Sequence, residues 1–421
     1  MVAATVFIFS GCSIVPVRSG SSVKIEIHEH GFELLVNEKP FYIQGAGVGQ
    51  AFGKKGENYL RMAKELGANA VRTWGTDQGT RAYLDEAYRQ GLYVDAGVWM
   101  NYVDEKKTVS YIVNDSYCRK KEKETLDYVK SFRNHPAILM WNLGNEAIHF
   151  TKSEDERIAF CRFLERLIQK VHRLDPHHPV IYASAATADL PYLKKYVPSL
   201  DVVGMNVYGN VIMAQSDWET LGFKVPYALT EFGHSGVWDV AKDCNGKVIE
   251  QSDYAKSIQY RNAWNLLKER RGKNIGGFVF HLGETTQASL TFYNINDWEY
   301  RTESFLTMRR LFGAEPEVLH APRIEYFLGT PEEIAKGKPF TVTLKVKDVE
   351  KDGFTYSYKV STTCEDADEY YVNTEVPVRI EGVGPKVVIY APSQEGIYRV
   401  YGFVRDSKGN STSTNHTIKV I

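Results

Sequence analysis

From Phe41 to about Phe312 the chain alternates short apolar runs with longer stretches in which apolar residues recur at helical spacing. The short runs cannot bury themselves as helices and read as core strands, whereas the longer stretches read as amphipathic helices. Eight runs qualify, at 41–47, 69–74, 92–99, 137–145, 180–184, 202–208, 227–231 and 277–281. Tyr59, Leu60, Ala63 and Leu66 hold helical spacing up to Gly67, and Tyr83, Leu84 and Ala87 do so before Gly91. Ser153 with Glu156 forms a capping-box start for a helix reaching about Leu174. Residues 253–270 and 302–312 supply the last two helices. Strands alternating with helices predict an α/β fold with a parallel sheet, and eight such units in roughly 270 residues is the size of a (β/α)8 TIM barrel. A doubly wound open sheet gives no reason for eight units, and no glycine-rich phosphate turn follows the first run.

The pattern differs on both flanks. Val23, Ile25 and Ile27 alternate with Lys24, Glu26 and His28, and a polar Asn37-Glu38-Lys39 turn follows, which predicts a β-hairpin over 23–40 capping the bottom of the barrel. After Gly313 the helical period vanishes. Residues 320–421 show alternating strands, at 340–346 and 397–404 among others, separated by turns at 351–353 and 406–410. That predicts a C-terminal β-sandwich of immunoglobulin-like size, although it lacks a Cys-Trp-Cys core. The expected organisation is therefore an amino-terminal signal segment (1–22), the hairpin (23–40), the barrel (41–316) and the sandwich (320–421).

Composition narrows the class. A hydrophobic fraction of 43% with 24% charged residues over 421 residues describes an ordinary globular chain with ample core. Net charge is −1 and no basic stripe stands out, which argues against a nucleic-acid partner. The cysteines at 118, 161, 244 and 364 have no CxxC spacing, so neither a zinc site nor a disulfide framework is indicated. Residues 2–9 form an apolar run of signal-peptide length, too short to span a membrane. Phe9-Ser10-Gly11-Cys12 is similar to a bacterial lipoprotein processing site, which would lipidate Cys12; a plain cleaved secretory signal is the alternative. Either way export is expected, with any membrane attachment made only through a lipid on Cys12.

The chemistry gathers at the ends of the predicted strands, where barrels of this type carry their functional residues. Strand two ends in Arg72-Thr73-Trp74, strand three in Trp99, strand four in Asn145-Glu146, strand six in Asn206-Val207-Tyr208, strand seven in Glu231, and strand eight leads to His281 and Glu284. Two carboxylates delivered by different strands are what glycosidic bond cleavage needs, one as general acid and one as nucleophile or base. Trp74, Trp99, Tyr102, Trp238 and Trp298 are candidate stacking platforms for sugar rings.

Trp141-Asn142-Leu143-Gly144-Asn145-Glu146, Asn206-Val207-Tyr208 and Thr230-Glu231-Phe232-Gly233 resemble clan A glycoside hydrolases, most of all the catalytic barrel of family 2, the β-galactosidase, β-mannosidase and β-glucuronidase family. The resemblance covers about residues 31–313 and includes the stretch from Phe32 to Phe41. It implies Glu146 as acid/base, Glu231 as nucleophile, Asn145 as donor to the sugar 2-hydroxyl, and Arg72 and Tyr208 as partners orienting Glu231. Physically, an adjacent Arg favours an ionised nucleophile, whereas the acid must hold its proton. There are departures. Family 2 enzymes normally carry a sugar-binding jelly roll and an immunoglobulin-like domain before the barrel, where this sequence shows only a hairpin. Phe280 stands where these barrels usually offer Trp, and no Asn-x-Lys follows strand eight, where glucuronidases recognise the acid group. The expectation is a retaining β-glycosidase acting on a β-linked oligo- or polysaccharide without metal or cofactor. A transglycosylase on the same site and a non-catalytic glycan-binding lipoprotein are the alternatives.

Overall fold

The computed structural model describes residues 20–104, 108–185, 187–314, 319–347, 353–363 and 373–421. The signal run, Cys12, Cys364 and most of the 351–353 turn lie outside the described residues.

Eight parallel strands close into a barrel in chain order: β4 (Ile43–Gly47), β5 (Ala70–Arg72), β6 (Tyr93–Gly97), β7 (Ile138–Asn145), β8 (Val180–Ala185), β9 (Val202–Tyr208), β10 (Tyr227–Gly233) and β11 (Asn274–Val279). Every residue of β7 and β10 is buried, as expected of strands covered on both faces. The helices are α1 (Tyr59–Glu65), α2 (Arg81–Arg89), α3 (Asp115–Phe132), α4 (Glu154–Leu174), α5 (Leu190–Tyr196), α6 (Val211–Thr220), α7 (Asp253–Glu269) and α8 (Glu303–Leu311). Side chains of Asn58, Thr80, Asn114, Ser153, Ser252 and Thr302 cap six of them by accepting an otherwise unpaired N–H of the first turn. Only half of the expected capping box at α4 forms. Ser153 Oγ accepts from Glu156 N at 3.2 Å, but the Glu156 carboxylate turns to Ser110 and Tyr111, where it satisfies a buried hydroxyl and an amide.

The bottom of the barrel is closed by a three-stranded sheet rather than a two-stranded hairpin: β1 (Val23–His28), β2 (Gly31–Val36) and the short β3 (Lys39–Phe41). The alternation read from the sequence places Val23, Leu34 and Val36 inward, against Ile43, Leu139, Met140, Ile181 and Phe278. Gly45 is required there, since any side chain at that position would collide with the Phe278 ring.

Beyond α8 the described residues form two four-stranded sheets, with strands from Arg323–Leu328 to Ser411–Val420, enclosing an apolar cluster that includes Phe327, Val342, Leu344, Val400 and Ile418. A polar seam joins them to the barrel. Glu250 accepts from Lys256 Nζ at 2.5 Å, Ser289 Oγ at 2.6 Å and Asn415 Nδ2 at 2.8 Å. Asp297 Oδ2 accepts from Arg405 Nε at 2.8 Å and Ser411 Oγ at 2.7 Å. The loop after β11 is anchored from the same side: Leu290 N donates to Tyr401 Oη at 3.1 Å, and Asn373 Nδ2 to Thr286 O at 2.8 Å.

Candidate active site

At the top of β7 the backbone departs from regular strand geometry. The pairing with β8 shifts between Asn142 and Asn145, Gly144 has φ +112°, and Glu146 has φ +54°, held by its N–H to Ala183 O at 2.8 Å. A left-handed non-glycine residue costs about 1–3 kcal/mol and concentrates where surrounding structure fixes a functional side chain. The pairing of β10 with β9 shifts in the same way between Leu229 and Glu231. Both glutamates thus sit at irregular C-terminal strand ends, on the face where the sequence places them.

The two carboxylates have different neighbours. Glu231 Oε1 accepts from Arg72 Nη1 at 2.7 Å and from Trp74 Nε1 at 2.8 Å, and its Oε2 accepts from Tyr208 Oη in a short hydrogen bond. Burial, reinforced by the Glu231 charge, pushes the Tyr208 phenol far above its ordinary range, so Tyr208 keeps its proton and donates. Glu146 Oε1 accepts from Asn206 Nδ2 at 2.6 Å, and Asn206 is in turn oriented by Thr230 Oγ1 donating to its Oδ1 at 2.7 Å. Asn145 Oδ1 links the halves, accepting from Arg72 Nη2 at 2.7 Å and from Asn206 Nδ2 at 3.0 Å. Arg72 is 1% exposed and also faces Asp95, its register partner on β6, at 3.8 Å. Burial pushes the Asp95 carboxyl up to about 7, against the pull of Arg72 and of Asn142.

A cavity of about 550 Å³ opens above this network. Of the residues singled out in the sequence, Trp74, Trp99, Asn145, Glu146, Tyr208, Glu231, His281 and Glu284 line it. Arg72 and Asn206 lie behind the wall and hold the side chains of Glu231, Asn145 and Glu146 that line it. Trp238 is not among the lining residues; it is 55% exposed and packs edge-on against Tyr208 at 5.8 Å. Tyr102 stands beside the cavity, 5.3 Å from Trp99 and stacked on Phe150 at 4.4 Å. Trp298 packs under Lys359, whose Nζ is 4.7 Å from the ring centre, and does not line the cavity. His281 lies beyond β11, which ends at Val279 rather than at His281, and the Phe280–His281 peptide is cis. The strand stops because His281 N and O turn to Tyr293 and Ile295 of the following loop. Burial lowers the His281 pKa to about 4, so the ring is neutral at pH 7.

Further residues line the cavity: Tyr59, whose helical spacing points only to core and whose hydroxyl donates to Glu284 Oε1 at 2.8 Å, and Gln50, Asp77, Gln78, Gln287 and Tyr293 from loops. Gln78 fixes Trp74 by accepting its backbone N–H at 2.7 Å. Its signal was the polar turn directly after a strand end, where the barrel rule already pointed. No group of three or more His, Cys, Asp or Glu side chains among the described residues is placed to hold a metal ion.

A closed barrel with carboxylates at the C-terminal ends of its fourth and seventh strands, one of them clamped by Arg, Trp and Tyr, has the frame of a glycoside hydrolase. The family model for the TIM barrel domain of glycosyl hydrolases family 2 matches residues 25–237, just over half of the chain, and the chain belongs to that family. A β-glucuronidase of Paenibacillus borealis is 26% identical over 288 residues, covering 61% of this chain and 45% of that protein. One from Felis catus is 27% identical over 202 residues, covering 44% and 27%. Among solved structures, β-glucuronidase 2 of Bacteroides uniformis, covalently bound to cyclophellitol-6-carboxylate aziridine, superposes with a TM-score of 0.55 at 13% identity, covering 95% of this chain and 48% of that one. A family 2 β-galacturonidase of Eisenbergiella tayi bound to galacturonate gives 0.54 at 17% identity, covering 71% and 55%. The chain spans less than half the length of these curated relatives, and the structural likeness is one of fold.

Proposed function

We propose that the chain is a retaining β-glycosidase in which Glu231 is the nucleophile and Glu146 the acid/base. The observation that carries this is the asymmetry of the two carboxylates in one cavity: Glu231 accepts from three donors, one of them a buried guanidinium, whereas Glu146, on a left-handed turn, accepts from the Asn206 amide. In the first step Glu231 attacks the anomeric carbon while Glu146 gives its proton to the leaving oxygen. In the second, Glu146 takes a proton from water, which displaces Glu231 and restores both groups. This mechanism puts the two carboxyl groups about 5–5.5 Å apart. Asn145 commits its carbonyl oxygen to Arg72 and Asn206, which leaves its amide N–H groups to donate to the sugar 2-hydroxyl.

The test is azide rescue with dinitrophenyl β-glycosides, whose leaving group needs no proton. Glu146→Ala is expected to accumulate the glycosyl-enzyme and, with azide, to release a β-glycosyl azide. Glu231→Ala is expected to give the α-glycosyl azide. Reversed anomers, or rescue of neither variant, overturn the assignment.

Transfer to a sugar acceptor shares the first step, and the Trp99, Tyr102 and Phe150 ledge beside the cavity favours it as a second outcome. The ratio of transfer to hydrolysis in the presence of added oligosaccharide measures it. The reading extends to an immunoglobulin-like assignment for the two C-terminal sheets and to export, the latter tested by lipid labelling of the wild type against Cys12→Ala.

A further inference from the structure

Resting on the reading of this cavity as a glycosidase site, we propose that the sugar it takes is uncharged, and that Glu284 both recognises it and turns uronides away. The lining supplies the carboxylates of Asp77, Glu146, Glu231 and Glu284, and no Lys or Arg among the described lining residues. Arg72, the cation beneath, is buried behind the wall and committed to Glu231, Asn145 and the Thr230 carbonyl. A uronide would therefore add a negative charge to a space that holds those of Asp77, Glu231 and Glu284, with Glu146 protonated as the acid and no lining Lys or Arg to meet the added charge, and like charges sharing one cavity disfavour a ligand. His281 does not supply the missing cation, because burial keeps its ring neutral at pH 7.

Sugar hydroxyls meet the opposite situation. They are donors, and the carboxylates and the side-chain carbonyls of Gln50 and Gln287 are acceptors. Glu284 is the best placed of these outside the catalytic pair. Tyr59 Oη holds its Oε1 at 2.8 Å, which fixes the side chain at the lip of the cavity, and Oε2 makes no hydrogen bond among the described residues. Burial of Tyr59, reinforced by Glu284, pushes the phenol far above its ordinary range, so the phenol remains a donor throughout the working pH range. Glu284 is exposed, so its share of the repulsion is screened and smaller than that of the cavity as a whole.

The experiment uses the full chain and 4-nitrophenyl β-glucoside, β-galactoside, β-mannoside, β-glucuronide and β-galacturonide. The best neutral glycoside is expected to exceed either uronide in kcat/KM by at least about 100-fold. A uronide turned over as well as the best neutral sugar overturns the proposal. Glu284→Gln keeps the shape and removes the charge, and is expected to raise the uronide-to-neutral ratio by about tenfold while lowering kcat/KM on the neutral sugar. An unmoved ratio removes Glu284 from the proposal. Loss of the catalytic reading shows separately, as no turnover of any glycoside. The charge preference is then read by calorimetry on Glu231→Gln with methyl β-glycosides, where tighter binding of the neutral sugars supports the proposal and tighter binding of methyl β-glucuronide overturns it.

Discussion

At the lower end of the barrel, Ile43, Leu139, Met140 and Phe278 close against Val23, Leu34 and Val36, whereas at the upper end the same sheet gives up Arg72, Asn145, Asn206 and Glu231. The lower contacts are non-directional and draw their free energy from area removed from water. The upper ones are directional: each side chain is fixed by the next, Arg72 serves several acceptors, and Glu146 sits in a left-handed conformation. Stability is generated at one end and given up at the other, the usual relation between a scaffold and a preorganised site.

The sharpest way to break this contrast is Glu231→Gln, which removes the nucleophile and leaves an amide oxygen to accept from the buried Arg72. Turnover on every aryl glycoside is expected to fall by at least about 10⁴-fold, while urea unfolding shows stability equal to or above that of the wild type. A large loss of stability would mean that the mouth supports the fold after all. The mirror-image variant is Phe278→Ala. It is expected to cost about 3–5 kcal/mol in urea unfolding, with kcat/KM per folded molecule unchanged. Tyr208→Phe removes one of the donors on Glu231 and is expected to lower kcat by about 10- to 100-fold, with a stability change under about 1 kcal/mol. The smallest effect concerns the seam beside the mouth. Burial alone would raise the Glu250 carboxyl, but Lys256 and the hydroxyl of Ser289 outweigh it and hold the pKa at about 2, below the ordinary 4.5. The folded value is the lower one, so this stabilisation is complete above about pH 4.5 and is lost as pH falls toward 2. Between pH 7 and pH 4 the loss is expected to stay under about 1 kcal/mol, and Glu250→Gln should remove that part of the pH dependence of unfolding.

All eight barrel strands were legible in the sequence because buried parallel strands are nearly continuous apolar runs. β11 was read three residues late: it begins with Asn274, a polar residue whose amide serves the carbonyls of Leu267 and Arg270 at the end of α7. Helical spacing does not reveal α3, since its charged sequence buries only Thr125, Tyr128 and Val129 and leaves a thin apolar stripe. At the site, the strand-end residues followed from the barrel rule. Tyr59 did not, because its spacing with Leu60 and Ala63 read as core packing, and the same residue serves both roles: it is 1% exposed and its hydroxyl still reaches Glu284. Gln287 and Tyr293 come from an irregular loop whose path depends on partners far away in the chain.

Those partners limit how this molecule can be recombined. The loop that brings Thr285 and Gln287 to the cavity is tied down by Asn373, which lies outside the strands, and by Tyr401 of a C-terminal sheet. A chimaera joined near residue 314 would transplant Glu146 and Glu231 intact and still lose one wall of the cavity. Exchange of substrate preference with another barrel therefore has to move residues 285–291 together with the C-terminal residues that hold them, and the unit of exchange is larger than the barrel.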